Sequence, residues 1–202
     1  ILHFAFCILN FAFPKGAIMP RLYFEESPVI AAVKTAEELN AALRSDVEVV
    51  FLLHATLSTL SHRIELAREA GKKLFIHMDL VEGLSKDGAG VEFLASMKPD
   101  GIISTRSGCI HAAREAGITC IQRFFMVDSR SVSNALESIR QTRPDMIELL
   151  PGIAYKAVTR MASETAIPVI AGGLIETKEE IYKALGAGAA AISTGSKELW
   201  RE

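Results

Sequence analysis

PVIAGGLIETKEEIYKALGAGAAAISTGS, residues 168–196, holds one complete structural unit and the start of the next. Pro168 blocks continuation of a preceding helix, and PVIAGG (168–173) is a short apolar run stopped by two glycines. Thr177 then opens an amphipathic stretch ending at Gly186, a residue suited to a helix C-terminus. AAAIST (189–194) is a second apolar run, stopped by Gly195. Short apolar runs without two-residue alternation, separated by a helix, are what parallel strands covered on both faces look like.

The same grammar extends back to Pro28. Strands are expected at PVIAAVK (28–34), VEVVFLL (47–53), KKLFIHMD (72–79), DGIIST (100–105), TCIQRFF (119–125) and MIELL (146–150). Thr35 precedes AEELNAALR with Glu38 three residues on, a capping-box pattern. Further helices are expected from Thr59 to Gly71, from Ser107 to Gly117, and from Asp128 to a stop at Pro144. Counting the terminal SKELWRE, this makes eight strands and eight helical segments. An α/β fold of regular alternation at about 21 residues per unit is a compact single-domain (β/α)8 TIM barrel. A doubly wound sheet would need a phosphate loop after its first strand, and VKTAEELN (33–40) has no glycine. The barrel is assigned to residues 27–202.

The chain has 202 residues, with 22 Lys+Arg against 24 Asp+Glu. This lack of a basic excess argues against bulk electrostatic binding of nucleic acid, leaving only a local patch. Cys7, Cys109 and Cys120 lack metal-ligand spacing and read as reduced thiols of a cytoplasmic protein. No apolar run reaches the ~18–20 residues of a membrane span. The opening ILHFAFCILNFAF is apolar, but its positive charges, Lys15 and Arg21, follow it, the reverse of a secretory signal. The chain begins with Ile1, so Met19 is read as the start and residues 1–18 as an upstream extension. No metal or cofactor is expected.

In a barrel the functional face lies at the carboxyl ends of the strands. Gly172 and Gly173 end the seventh strand, and Thr194, Gly195 and Ser196 end the eighth. Glycines let main-chain N–H groups approach an anion, and these two loops are the usual phosphate site of phosphate-using barrels. The plainer reading of Gly172–Gly173 is a tight turn. The mouth also receives Lys34, Asp79, Arg106, Arg123 and Glu148. A charge inside MIELL is costly unless paired or solvated, so Glu148 is either functional or the partner of Arg123 or Arg106. His77 shares a face with Asp79; the pair reads as base and orienter, as metal ligands, or as a satisfied core histidine beside a carboxylate, and we favour the last. Lys34 reads as a Schiff-base lysine or as a phosphate contact. HExxH, GxSxG and Walker motifs are missing, and no catalytic residue is assigned. On the residues alone, catalyst and sensor both stay open.

Six blocks carry a resemblance: HMDLVEGLSKDGAGVEFL (77–94), KPDGIISTRS (98–107), IQRFFMVDS (121–129), RPDMIELLPG (143–152), IPVIAGGLIETKEEI (167–181) and ISTGSKELW (192–200). In order and spacing the chain resembles, from about Ser27 to Trp200, the glycerol uptake operon antiterminator family of glycerol-3-phosphate-responsive regulators. The resemblance implies a transcription regulator that binds glycerol 3-phosphate and, when liganded, leader mRNA of glycerol-catabolic genes. It implies phosphate on Gly172, Gly173, Gly195 and Ser196, glycerol hydroxyls toward Asp79 and Glu148, and positive charge from Lys34, Arg106 and Arg123. A homo-oligomer is compatible with it. No recognised RNA module is present. The positive clusters are Lys72–Lys73 with Arg68, Arg130 with Arg140 and Arg143, and Lys156 with Arg160. Ordering of residues 80–90 by the ligand is one way to gate an RNA surface. The alternative is a phosphate-substrate barrel enzyme (aldolase, isomerase or phosphodiesterase) using Asp79, Glu148 or Lys34.

Overall fold

Each of the eight expected apolar runs forms a parallel strand in the computed structural model of the chain, which describes residues 27–201. The strands are β1 (Val29–Val33), β2 (Val49–Leu52), β3 (Lys73–His77), β4 (Gly101–Ser104), β5 (Cys120–Phe125), β6 (Met146–Leu150), β7 (Val169–Gly172) and β8 (Ala191–Thr194). They pair in chain order and close on themselves, β1 meeting β8 in a register that runs from Val29 opposite Ile192 to Ala31 opposite Thr194. The extension read at residues 1–18, with Cys7, lies outside the described residues.

Alternation along the strands sorts the core into two parts. Ile30, Val49, Phe51, Phe75, Ile103, Ile121, Met146, Ile170 and Ala191 point inward and fill the barrel. Phe51 and Phe75 meet edge-on there, with ring centroids 5.8 Å apart. The intervening residues point outward and pack under seven α-helices: α1 (Ala36–Leu43), α2 (Leu57–Glu69), α3 (Gly88–Met97), α4 (Ser107–Glu115), α5 (Ser129–Thr142), α6 (Tyr155–Glu164) and α7 (Lys178–Gly186).

The helix boundaries follow local chemistry. Thr35 with Glu38 and Thr177 with Glu180 form capping boxes, and Asp128 caps α5. Helices α3 and α5 stop at the left-handed residues Lys98 (φ 54°) and Arg143 (φ 48°), each followed by a proline. One expectation is corrected. Helix α2 begins two residues before Thr59, because Thr56 is the N-cap and Thr59 is the hydroxyl that bonds back to it. Helix α7 ends at Gly186, as expected, and the left-handed Gly188 (φ 102°) turns the chain toward β8. The eighth helical segment is a short 3₁₀ turn, Lys197–Trp200.

Ala55–Thr56 and Val81–Glu82 pair as a two-stranded parallel sheet at the mouth. Lys86 fastens the same loop, its ammonium donating to the carbonyls of Met78 (2.9 Å) and Val81. Residues 80–86 are therefore already tied down. Among the described residues, no helix is long and apolar enough to cross a membrane.

Candidate functional site

The floor of the mouth follows from strand parity. Ile121, Met146, Ala191, Phe75 and Ile170 face the barrel interior, so the residues two further on do so as well. Those are Arg123, Glu148, Ser193, His77 and Gly172. Above an apolar layer the barrel thus carries a polar one. Glu148 is 1% exposed; its Oε2 accepts a hydrogen bond from Arg123 Nε at 2.6 Å and its Oε1 one from Ser193 Oγ at 2.6 Å. The charge inside MIELL is thus paired with Arg123, one of the two partners weighed for it, and Arg106 is not involved. A Cβ at Gly172 would lie 2.5 Å from both Glu148 Oε1 and Ser193 Oγ. Gly172 leaves the space that the carboxylate fills.

Just above, the two closing turns face each other. The carbonyls of Gly172 and Gly173 accept from Gly152 N–H, at 2.5 and 3.0 Å. In a planar trans peptide the C=O and N–H point in opposite directions. The N–H groups of Gly173 and Leu174 therefore point away from Gly152, and the register of Gly172 with Ser193 gives that of Gly173 to the Ser193 carbonyl. Gly173 (φ 75°) and Leu174 (φ 59°) are both left-handed, and for the exposed Leu174 this is a strained conformation. On β8, the Thr194 carbonyl accepts from Trp200 Nε1 at 2.9 Å, which turns Gly195 N–H away from the indole. Thr194 Oγ1 joins the turns, donating to Ile175 O (2.6 Å) and accepting from Ser196 N–H (3.0 Å). Residues 173–176 and 194–198 line one concavity of about 580 Å³. Lys197 adds a positive charge to it, whereas the exposed Glu176 and Glu198 oppose an anion. The 3₁₀ turn opening after Ser196 is too short for much of the helix dipole that a full helix would supply.

The remaining mouth residues separate. Asp79 lies past β3, its Oδ1 accepting from Ser104 Oγ (2.6 Å) and its Oδ2 from Thr105 N–H (2.7 Å) and Oγ1 (2.8 Å). Burial pushes its carboxyl up, but these hydrogen bonds and nearby His77 outweigh that and leave it below the usual carboxylate range. Lys34 and Arg106 are exposed on the rim, and neither joins Glu148. Cys109 and Cys120 are buried free thiols, Cys120 pushed up to about 12 by burial first of all, so neither is a ready nucleophile. Among the described residues, no three His, Cys, Asp or Glu are grouped to hold a metal ion.

Residues 29–200 match the family described as glycerol-3-phosphate responsive antiterminators. The chain belongs to that family. The relatives of this antiterminator barrel agree. It is 39% identical over 184 residues to YgcP of Escherichia coli K12, a protein described as uncharacterized, covering 90% of this chain and 96% of YgcP. The glycerol uptake operon antiterminator regulatory protein of Listeria monocytogenes is 39% identical with a TM-score of 0.82, over 85% of this chain and 94% of that one. A glycerol uptake operon antiterminator-related protein of Thermotoga maritima is 33% identical with a TM-score of 0.77, over 85% and 96%. The family is one of regulators rather than enzymes. Barrel enzymes, a deoxyribose phosphate aldolase of Aeropyrum pernix among them, are similar at 17% identity or less, which shows a common fold alone.

At the mouth, Ser193 carries no signal strong enough to single it out, and His77 departs from the satisfied core histidine expected of it. Ser193 supplies Glu148's second hydrogen bond; the weak signal is its spacing of two from inward-facing Ala191. His77 is 3% exposed, as a core histidine would be, but its Nδ1 is buried without a hydrogen-bond partner among the described residues. Desolvation first, then Arg123, pushes the imidazole down to about 4, and Asp79 offsets this only in part. His77 is therefore neutral at pH 7. The unfolded chain takes up a proton near pH 6.5 that the folded chain refuses until about pH 4, so stability falls as pH falls through that window. The loss amounts to roughly 3 kcal/mol by pH 4. In chemical denaturation, His77→Phe is expected to flatten the pH dependence between 6.5 and 4; an unchanged slope contradicts this assignment.

Proposed function

We propose that this antiterminator binds glycerol 3-phosphate at the β7–β8 mouth and, when loaded, binds leader mRNA of glycerol-catabolic genes so that transcription is not terminated. The observation that carries the ligand half is the single concavity that the β7 and β8 turns share, lined by Gly173, Leu174, Thr194, Gly195, Ser196 and Lys197. A dianion placed there meets preorganised N–H donors and Lys197. In this reading Gly172, Gly173, Thr194, Gly195 and Ser196 form the phosphate site, with Gly172 contributing through the room it leaves Glu148. Because both oxygens of Glu148 are already engaged, its part is to hold Arg123 and Ser193 toward the ligand. Asp79 similarly sets Ser104 and Thr105, and Lys34 and Arg106 attract the anion from the rim.

The RNA half rests on family membership and on one basic cluster. Arg68, Lys72 and Lys73 are joined by Lys98 around a second concavity of about 250 Å³, at the opposite end of the barrel from the mouth. Glu65 (2.6 Å from Arg68) and Asp100 (3.3 Å from Lys73) temper its charge. The site of action is the cytoplasm, where message and metabolite meet, and a homo-oligomer is compatible with it.

The test is a gel shift with leader RNA. A retarded band is expected only when glycerol 3-phosphate is present, and equal binding in both lanes defeats the switch. The ligand alone, at 100 times its Kd, is expected to stabilise the chain by about 2.7 kcal/mol. That corresponds to a rise in Tm of roughly 5–10 °C. No shift with glycerol 3-phosphate defeats the ligand assignment.

A further inference from the structure

Above its apolar layer the barrel carries Ser193, Glu148, Arg123 and His77 on its inner face. Ser193, next to the β8 turn, bonds Glu148; Glu148 bonds Arg123; and the charge of Arg123 acts on His77, across the barrel on β3. Every step but the last ends in a satisfied group. At His77 the line stops at a buried ring nitrogen with no partner among the described residues. Buried polar atoms are almost always hydrogen-bonded, and one left open at the floor of a ligand mouth calls for a partner from outside the chain.

The geometry points to His77 as the residue that recognises the hydroxyl end of the ligand, an inference resting on the phosphate assignment above. With the phosphate on the β7–β8 turns, the carbon chain runs over Ser193 and Arg123, and a polyol hydroxyl at its far end meets Nδ1. A hydroxyl both donates and accepts, so it pairs with either neutral tautomer of the imidazole. A hydroxyl gives Nδ1 a partner that the described residues do not, and an analogue without hydroxyls gains nothing there. His77 would set specificity for a phosphorylated polyol over a plain alkyl phosphate, separately from the turns that hold the phosphate.

Calorimetric titration of the full chain with glycerol 3-phosphate, propyl phosphate and inorganic phosphate tests this. The wild type is expected to prefer glycerol 3-phosphate over propyl phosphate by roughly tenfold or more. His77→Phe is expected to cut that preference to about threefold or less while its affinity for propyl phosphate stays within about threefold, and His77→Gln, which restores a polar atom, recovers part of it. The ¹⁵N resonance of His77 Nδ1 in the wild type should move with glycerol 3-phosphate and stay put with propyl phosphate, a readout that needs no variant to fold. A preference unchanged in His77→Phe, or an Nδ1 resonance indifferent to the polyol, overturns the role of His77 and leaves the phosphate site standing. Failure of the wild type to bind any of the three overturns both.

Discussion

Glu148→Ala is expected to lower the unfolding free energy by about 3–5 kcal/mol, a fall in Tm of roughly 10 °C, with glycerol 3-phosphate binding lost as well. The size follows from what is left behind. Arg123 is 6% exposed and its Nε has one acceptor, 2.6 Å away. Without the carboxylate, a guanidinium remains in the barrel with no counter-charge, and Ser193 loses its acceptor. Deleting one partner of a buried pair costs far more than the pair contributes when both are present. Glu148→Gln keeps an acceptor in place and should cost less than the alanine change. Replacing both members, Arg123→Met with Glu148→Leu, should recover most of the stability lost by either alone while leaving the ligand affinity abolished. Urea denaturation read beside calorimetric titration separates these outcomes. A Glu148→Ala protein within about 1 kcal/mol of wild type would mean that Arg123 finds water or another acceptor, and that the floor of the mouth is not the closed polar layer described above.

How much of this could be read in the sequence depends on how local each cause is. The eight strands were legible because a parallel strand buried on both faces must be apolar at nearly every position. MIELL announced its exception by the same rule, since a carboxylate there demands a partner. Arg123 and Arg106 both qualify as that partner from the sequence, and the register that sets Arg123 opposite Glu148 decides between them. Ser193 could not be named, because a serine in an apolar strand costs too little to stand out. The helix starts at Thr35, Asp128 and Thr177 were legible because a cap is decided within four residues. The pair Ala55–Thr56 with Val81–Glu82 was not, for two-residue strands carry no periodicity. His77 is the instructive failure. Its sequence context predicts burial, and it is buried, but whether a buried ring finds a partner depends on residues brought together only by closure of the barrel. Gly172 shows the converse: the sequence marks it as a phosphate approach or a tight turn, and the demand visible in the structure is the room taken by Glu148.

That demand makes Gly172→Ala the second large effect. A methyl group there would sit 2.5 Å from Glu148 Oε1, 2.5 Å from Ser193 Oγ and 3.2 Å from Glu148 Cδ. These are repulsive distances, and the carboxylate has nowhere easy to go, because its other oxygen is held by Arg123. The least costly escape breaks the Ser193–Glu148 bond and tilts the pair, at about 2–4 kcal/mol of stability and at least tenfold in affinity for glycerol 3-phosphate. Gly195→Ala is the control in the facing turn. Its added carbon would meet Ala32 O at 3.6 Å, an ordinary contact, and its backbone is not left-handed, so the fold should keep its stability to within about 1 kcal/mol. Its methyl would nevertheless crowd the amide cradle, and phosphate affinity should fall. One glycine thus loses stability and binding together, while the other loses binding alone. Ser193→Ala placed on Gly172→Ala removes one of the two clashing atoms and should return part of the stability without the ligand affinity. A Gly172→Ala protein as stable as wild type would show that Glu148 has slack, and the picture of a carboxylate wedged between three strands would have to be given up.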